Sequence, residues 1–273
     1  MEIAEYIDAL RGQGTALAEA AGRAGLDAAV PACPPWVVSD LLRHTGYIHR
    51  WAARHITERP ASVLAGPEEA EILRGGGPDE ELIAWFLAGH AALVETLATA
   101  DPALECGTFM AAPSPLAFWA RRQAHETAIH RADAQSASGV PGVPGVPGST
   151  PEYPADFAAD GIDELIMGFG RRRKYAPAAG PAAGRLHVAA TDTGDGWFIE
   201  PREGRLQPQH AAVQTTASGT GGTGGAGCTV RGPASAVYLF LWNRSGPDPA
   251  DVTIDGDRDV LAGWQSGVRV RWN

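Results

Sequence analysis

The stretch RRQAHETAIHRADAQ, residues 121–135, sets Glu126 and His130 four positions apart, with His125 directly before the glutamate. Residues four apart on an α-helix lie on one face, one above the other. A carboxylate oxygen and an imidazole nitrogen can then reach the same point, and both are donors for a zinc-class divalent ion. The spacing comes close to the H-E-x-x-H pattern of zinc proteases, which needs two histidines at i and i+4 with the glutamate as base. Here His125 lies about 100° around the helix from Glu126 and about 140° from His130, so one helix cannot aim all three at one ion. The protease reading fails on geometry, and Glu126 with His130 survives as a ligand pair.

Two ligands do not make a site. A second run, WVVSDLLRHTGYIHRWAARHI (36–56), offers His44, His49 and His55. On a helix, Leu41, His44, Ile48, Trp51 and His55 form one mostly apolar stripe that should face a bundle interior. His49 is about 140° from His44 and should meet different surroundings. His44 is therefore the best third ligand. Two histidines and a glutamate leave one tetrahedral position open, which a catalytic metal needs and a structural one does not. The residue types alone leave two plainer readings standing: a solvated Glu–His pair, and a hydrogen-bonded core histidine at position 44.

These residues need helices to position them, and the first 135 or so residues supply four. EIAEYIDALRGQGTALAEAAGRAG keeps apolar residues at three- and four-residue spacing and ends at glycine. The run from Trp36 to about Ile56 is the second. PDEELIAWFLAGHAALVETLATA opens with proline and acids, as helix N-termini prefer. The fourth starts near Ser114-Pro115 and ends near Gln135, with Ala120, Ala124 and Ala128 small enough for another helix to approach. The pattern predicts a metal-binding four-helix bundle over residues 1–138.

The composition then changes. Residues 139–155 carry a Val-Pro-Gly repeat and read as an exposed linker or loop. Residues 156–273 mix helix and strand signals, which predicts a small α+β domain. GIDELIMGFGRRR, PASAVYLFLWNR and RDVLAGWQ look helical. GRLHVAATD, GWFIEPRE, CTVRG and DVTIDGD look like strands, AAVQTTAS is a weaker strand candidate, and GVRVRW closes the chain. The glycine run SGTGGTGGAG lacks the Lys-Ser/Thr ending of a phosphate loop and reads as a turn.

The totals exclude whole classes of function. The 273-residue chain has a formal net charge of −10, which argues against nucleic acid or an anionic membrane as partner. The basic cluster RRRK (171–174) reads as a solvated helix end. No apolar run reaches the ~20 residues of a membrane span, and the acidic, amphipathic N-terminus is unlike a signal peptide. Three scattered cysteines, Cys33, Cys106 and Cys228, make neither a disulfide framework nor a Cys-x-x-Cys metal site, and the expected home is a reducing cytoplasm.

CPPWVVSDLLRHTGYIHRWAA (33–53) followed by RRQAHETAIHRADAQ resembles the mycothiol-dependent maleylpyruvate isomerase family, and AVYLFLWNR (236–244) is similar to that family's Leu-Trp-Gly-Arg segment. The resemblance implies a DinB-like four-helix bundle followed by a sterol-carrier-like α/β domain. It implies metal ligands at His44, Glu126 and His130, the set already reached from spacing. It also implies a low-molecular-weight thiol, such as mycothiol, that binds as thiolate, adds to a small electrophile, and is eliminated after rotation about a former double bond. Some relatives transfer the thiol instead. Cys33 looks like part of the family's Cys-Pro-Gly-Trp start, a packing residue. Two departures stand out: Asn243 replaces the family's usual glycine, and the Val-Pro-Gly insertion lengthens the junction.

Supporting groups follow from position. Arg122, one turn before Glu126, is a candidate for a substrate carboxylate or for an ion pair with Glu126 or Asp133. Arg244, at the end of an apolar helix, is a candidate for an anionic substrate. Asp133 is a candidate orienter of His130, although a contact at i+3 is expected to be strained. The chain is thus expected to be a zinc-dependent isomerase or S-transferase acting with a thiol on a small, anionic electrophile. A thiol-independent metal hydrolase or tailoring enzyme, and a non-enzymatic metal-binding module, are the alternatives.

Overall fold

Ile7, Leu10, Leu17 and Ala21 give helix α1 (Ile3–Ala24) one continuous buried face. Its first turn is closed where the Glu2 backbone N–H donates to the Glu5 carboxylate at 2.6 Å. Helix α2 (Val38–Glu58) opens in the same manner, the Val37 N–H donating to Asp40 at 3.0 Å. A 3₁₀ turn, Asp79–Glu81, leads into α3 (Leu82–Thr99), and its three acids complement the helix N-terminus. Helix α4 (Pro115–Ala137) starts with proline in its first position, and the Ser114 hydroxyl accepts the Ala117 N–H at 3.1 Å.

The computed structural model describes residues 1–65, 69, 77–137, 151–172, 184–202, 205–212, 227–268 and 270. The chain divides into two units, Met1–Pro151 and Glu152–Asn273. In the first, α1 packs on α4 and α3, and α2 packs on α3 and α4, so α1 and α2 are diagonal partners. That order makes α2 and α4 neighbours, as a shared site requires. The core joins Leu17 of α1, Leu41 and Leu42 of α2, Leu82 and Phe86 of α3, and Ala134 of α4.

Helix α4 is buried nearly all round, yet it carries Arg122, Gln123, His125, Glu126, Thr127, His130 and Asp133 inside, each at most 4% exposed. Burying a polar group without a partner costs several kcal/mol by order of magnitude, so these side chains must find partners among themselves and their neighbours. A bundle that buries so much polarity on one helix is organised around that helix. Ala120, Ala124 and Ala128 are fully buried beside them.

One expectation changes here. The segment Asp79–Thr99, with mean hydropathy 1.5, is long and apolar enough to cross a membrane by composition alone. Its buried positions Leu82, Phe86, Gly89, Leu93 and Leu97 recur at three- and four-residue spacing, and this is the period of a helix laid against a core.

The second unit begins with α5 (Ala155–Asp163), which runs on as a π-helix, Glu164–Phe169. Its sheet comprises β1 (Leu186–Ala190), β2 (Asp195–Arg202), β3 (Arg205–Ala212), β4 (Cys228–Gly232) and β5 (Thr253–Gly256), in the order β3-β2-β1-β4-β5. β1 and β4 pair in parallel and the other pairs are antiparallel. Helix α6 (Ala234–Leu241) lies against α5, β1 and β4, and α7 (Arg258–Gly267) lies against β4. The architecture is α+β, a helical domain followed by a small sheet-and-helix domain.

The position of β3 differs from the sequence reading. The weak strand expected over AAVQTTAS overlaps β3 only at Ala211 and Ala212, and the rest of it lies outside the described residues. The strand itself is RLQPQHAA, whose mid-strand Pro208 and polar residues hide it. Proline is tolerated because β3 is the edge of the sheet, where an absent N–H breaks no ladder. The Val-Pro-Gly stretch, the glycine run up to Ala226, and three residues of the closing GVRVRW (Arg269, Arg271 and Trp272) also lie outside the described residues.

Asn243, which ends the turn after α6, has φ +61°. This left-handed conformation is open to glycine at no steric cost and to asparagine more readily than to other side chains. Asn243 therefore holds a backbone conformation that glycine would also adopt.

Candidate metal centre

His44 of α2 and Glu126 and His130 of α4 converge, with one donor atom from each lying within 4.8 Å of the others. Glu126 Oε1 is 3.3 Å from His44 Nε2 and 3.1 Å from His130 Nε2. The three side chains are 12%, 3% and 5% exposed, so the cluster is closed on the α4 side and opens past His44. Two imidazole nitrogens and a carboxylate oxygen are the donor set of a borderline divalent ion with one position left for a ligand.

Neighbouring groups orient these side chains. The Arg122 guanidinium donates to Glu126 Oε2 at 2.9 Å, which leaves Oε1 toward the histidines. Asp133 Oδ2 lies 2.9 Å from His130 Nδ1. This carboxylate holds a proton on Nδ1, and in the neutral ring the Nε2 lone pair then points toward Glu126 and His44. The Cys33 thiol reaches the same Asp133 oxygen at 3.7 Å. Trp36 forms a wall, its ring centroid 5.0 Å from that of His44 and 6.4 Å from that of His130.

The electrostatics match a site built for a cation. Burial opposes the charge on Glu126, yet hydrogen bonds with His130 and His44 and the Arg122 charge outweigh it and hold the carboxyl well below its ordinary range. Burial also opposes protonation of His130, but Asp133 and Glu126 lift it to about 8. His44 is lowered by its burial, with Glu126 only partly offsetting this. A buried carboxylate that stays ionised beside two imidazoles fits a divalent ion well.

The remaining histidines stand elsewhere. His49 Nε2 is 2.9 Å from Thr127 Oγ1 and its ring lies 5.3 Å from that of His90. His55 Nδ1 donates to the Trp51 carbonyl at 2.8 Å, and its Nε2 accepts the Leu64 N–H at 3.0 Å. His125 is fully buried, edge-on to Tyr6. Arg244, in the second unit, donates to the Trp242 carbonyl at 2.8 Å.

Sequence reasoning overlooked Trp36 as part of the site, and Cys33, read as packing, does pack against the core while also reaching Asp133. Trp36 precedes the first turn of α2, so no helical spacing connects it to His44. Its place in the quoted block, eight residues before His44, is the only signal the sequence carries.

Residues 7–135 match the family described as the mycothiol maleylpyruvate isomerase N-terminal domain, and residues 156–263 match the C-terminal domain of the same family. Two solved structures of a mycothiol-dependent maleylpyruvate isomerase, one of a mutant and one not, share the fold. Each covers 93% of both chains, with TM-scores of 0.59 and 0.58 at 14% and 13% identity. No curated protein sequence matches the chain. Both halves of one enzyme family thus occur in order along the sequence, and the chain belongs to the mycothiol-dependent maleylpyruvate isomerase family.

Proposed function

We propose that this enzyme is a divalent-metal-dependent isomerase or S-transferase, with zinc held by His44, Glu126 and His130 and mycothiol or a similar thiol as cosubstrate. The observation that carries this is the convergence of three donor atoms within 4.8 Å on two neighbouring helices. A zinc-class ion there would supply a Lewis-acidic position that favours the ionised form of a bound thiol.

The chain's own residues prepare that position. Arg122 fixes Glu126 through Oε2, and Asp133 fixes the tautomer of His130. Trp36 covers one side of His44 and His130 with an apolar ring, which keeps bulk water from that face. With its guanidinium on Glu126, Arg122 serves the site better than it would serve a substrate, and Arg244 remains our candidate for a substrate anion. The three cysteines among the described residues form no disulfide, in keeping with the reducing cytoplasm we assign.

Turnover of maleylpyruvate and related small electrophiles, with and without mycothiol, tests the reading. Thiol-dependent conversion by zinc-loaded protein, lost in Glu126→Ala, is the expected result. Conversion that ignores thiol would instead favour a hydrolase or tailoring enzyme.

A further inference from the structure

We infer that His55 is an acid-released clasp: as a neutral ring it fastens the strap of residues 60–65 to α2, and as an imidazolium it lets the strap go. The inference stands apart from the metal-dependent reading and rests on donors and acceptors that leave one arrangement open. His55 Nδ1 lies 2.8 Å from the Trp51 carbonyl, which can only accept, so Nδ1 carries a proton. His55 Nε2 lies 3.0 Å from the Leu64 backbone nitrogen, whose N–H can only donate, so Nε2 offers its lone pair. A second proton on the ring occupies that lone pair and sets two donors against each other. The closed strap and the charged ring exclude one another.

The clasp is sealed from water. His55 is fully buried, and Trp51 and Leu64 are 6% and 7% exposed. The Trp51 indole N–H donates to the Leu64 carbonyl at 3.2 Å, so two side chains one turn apart on α2 hold both backbone groups of one strap residue. The chain reaches this place because Arg59, with φ +52°, ends α2 and turns it back. The other end of the strap is held without His55. Gly107 donates its N–H to the Pro60 carbonyl at 2.7 Å and leaves no room for a Cβ against the Ser62 backbone. Release therefore stays local to the Leu64 end.

The ring of Trp51 lies 4.7 Å from that of His55, and Trp119 of α4 lies 4.4 Å from it. Burial lowers His55 most and the Trp51 carbonyl raises it. The charges that act on it are Glu58 and Arg54 of its own helix, which pair with each other at 2.7 Å. Cys106, bonded to Trp119, is the titratable group on the neighbouring loop, and its raised thiol stays neutral in acid. With the strap open, His55 takes up a proton at its ordinary 6.5, whereas the closed strap refuses it. The clasp is thus fully made above 6.5 and is lost as pH falls.

Amide hydrogen exchange of the full ¹⁵N-labelled chain tests this, with Leu64 read against Leu42, a fully buried residue of α2. From about pH 7.5 to about pH 5, Leu64 protection, corrected for intrinsic exchange, should fall about tenfold relative to Leu42. His55→Gln keeps an acceptor that does not titrate and should protect Leu64 equally at both values. His55→Phe should leave Leu64 unprotected at both. Constant protection in the wild type, or the same fall in His55→Gln, would overturn the inference, as would an equal fall at Leu42. Should neither variant fold, the Gly107 amide of the wild type decides: a fall confined to Leu64 supports the clasp, and a fall shared with Gly107 sinks it.

Discussion

Asp133 Oδ2 stands 2.9 Å from Nδ1 of His130, three residues earlier on the same helix, with the two side chains 0% and 5% exposed. The i+3 contact is made at full hydrogen-bonding distance. Helical side chains lean toward the N-terminus, so the Asp133 carboxylate lies back over the turn that carries His130. The result is a carboxylate–histidine pair at a proposed metal ligand, a device that orients the ring and strengthens its lone pair.

Asp133→Asn should therefore weaken zinc binding about 10- to 100-fold while leaving the bundle folded. Competition with a chromophoric chelator measures the affinity, and circular dichroism monitors the fold. An unchanged affinity would mean that Asp133 is only a buried hydrogen-bond partner.

The convergence of His44, Glu126 and His130 was legible in the sequence because helices obey a fixed period. Glu126 and His130 at i, i+4, with His44 on an apolar stripe of another helix, needed only that α2 and α4 be neighbours. Arg122 was visible in position but not in partner, since spacing allowed a substrate, Glu126 or Asp133. Trp36 was invisible beside the site because it sits in the turn before α2, where no period applies. In the second unit the strands with β-branched and aromatic residues were readable, whereas β3 was masked by Pro208 and polar neighbours.

His49 gives a pH dependence whose largest causes are its burial and His90, ahead of the proposed metal ligands. The Thr127 hydroxyl donates to the Gln123 carbonyl at 2.7 Å, so His49 Nε2–H must donate to Thr127 at 2.9 Å. Its Nδ1 has no partner among the described residues and faces a buried setting shared with Phe86 and His90. Burial and the neighbouring His90 hold His49 well below the ordinary 6.5, and burial lowers His90 as well.

Below the ordinary value the unfolded chain gains protons that the folded bundle refuses. Stability should be full above 6.5 and fall as pH drops toward the depressed values. Thermal unfolding between about pH 7.5 and pH 5.5, the range histidine commands, should show a falling midpoint. The fall should be shallower in His49→Leu. An equal fall in that variant would assign the acid sensitivity to other groups.

Asn243 yields a prediction for the second unit. With φ at +61°, Asn243→Gly should be tolerated and Asn243→Ala should cost roughly 1 kcal/mol, the penalty of a Cβ in the left-handed region. Urea unfolding followed by tryptophan fluorescence provides the comparison, since Trp242 is adjacent and buried. Equal midpoints for the alanine and glycine variants would contradict the assignment.

The central claim is that His44, Glu126 and His130 together hold one divalent ion. Elemental analysis of the purified protein beside His44→Ala, Glu126→Ala, His130→Ala and His125→Ala tests it most directly. The account predicts about one ion per chain in the wild type, as a three-ligand site requires, loss in the first three variants, and retention in His125→Ala. Metal-free wild-type protein after incubation with zinc, or loss in His125→Ala equal to that in His130→Ala, would contradict it.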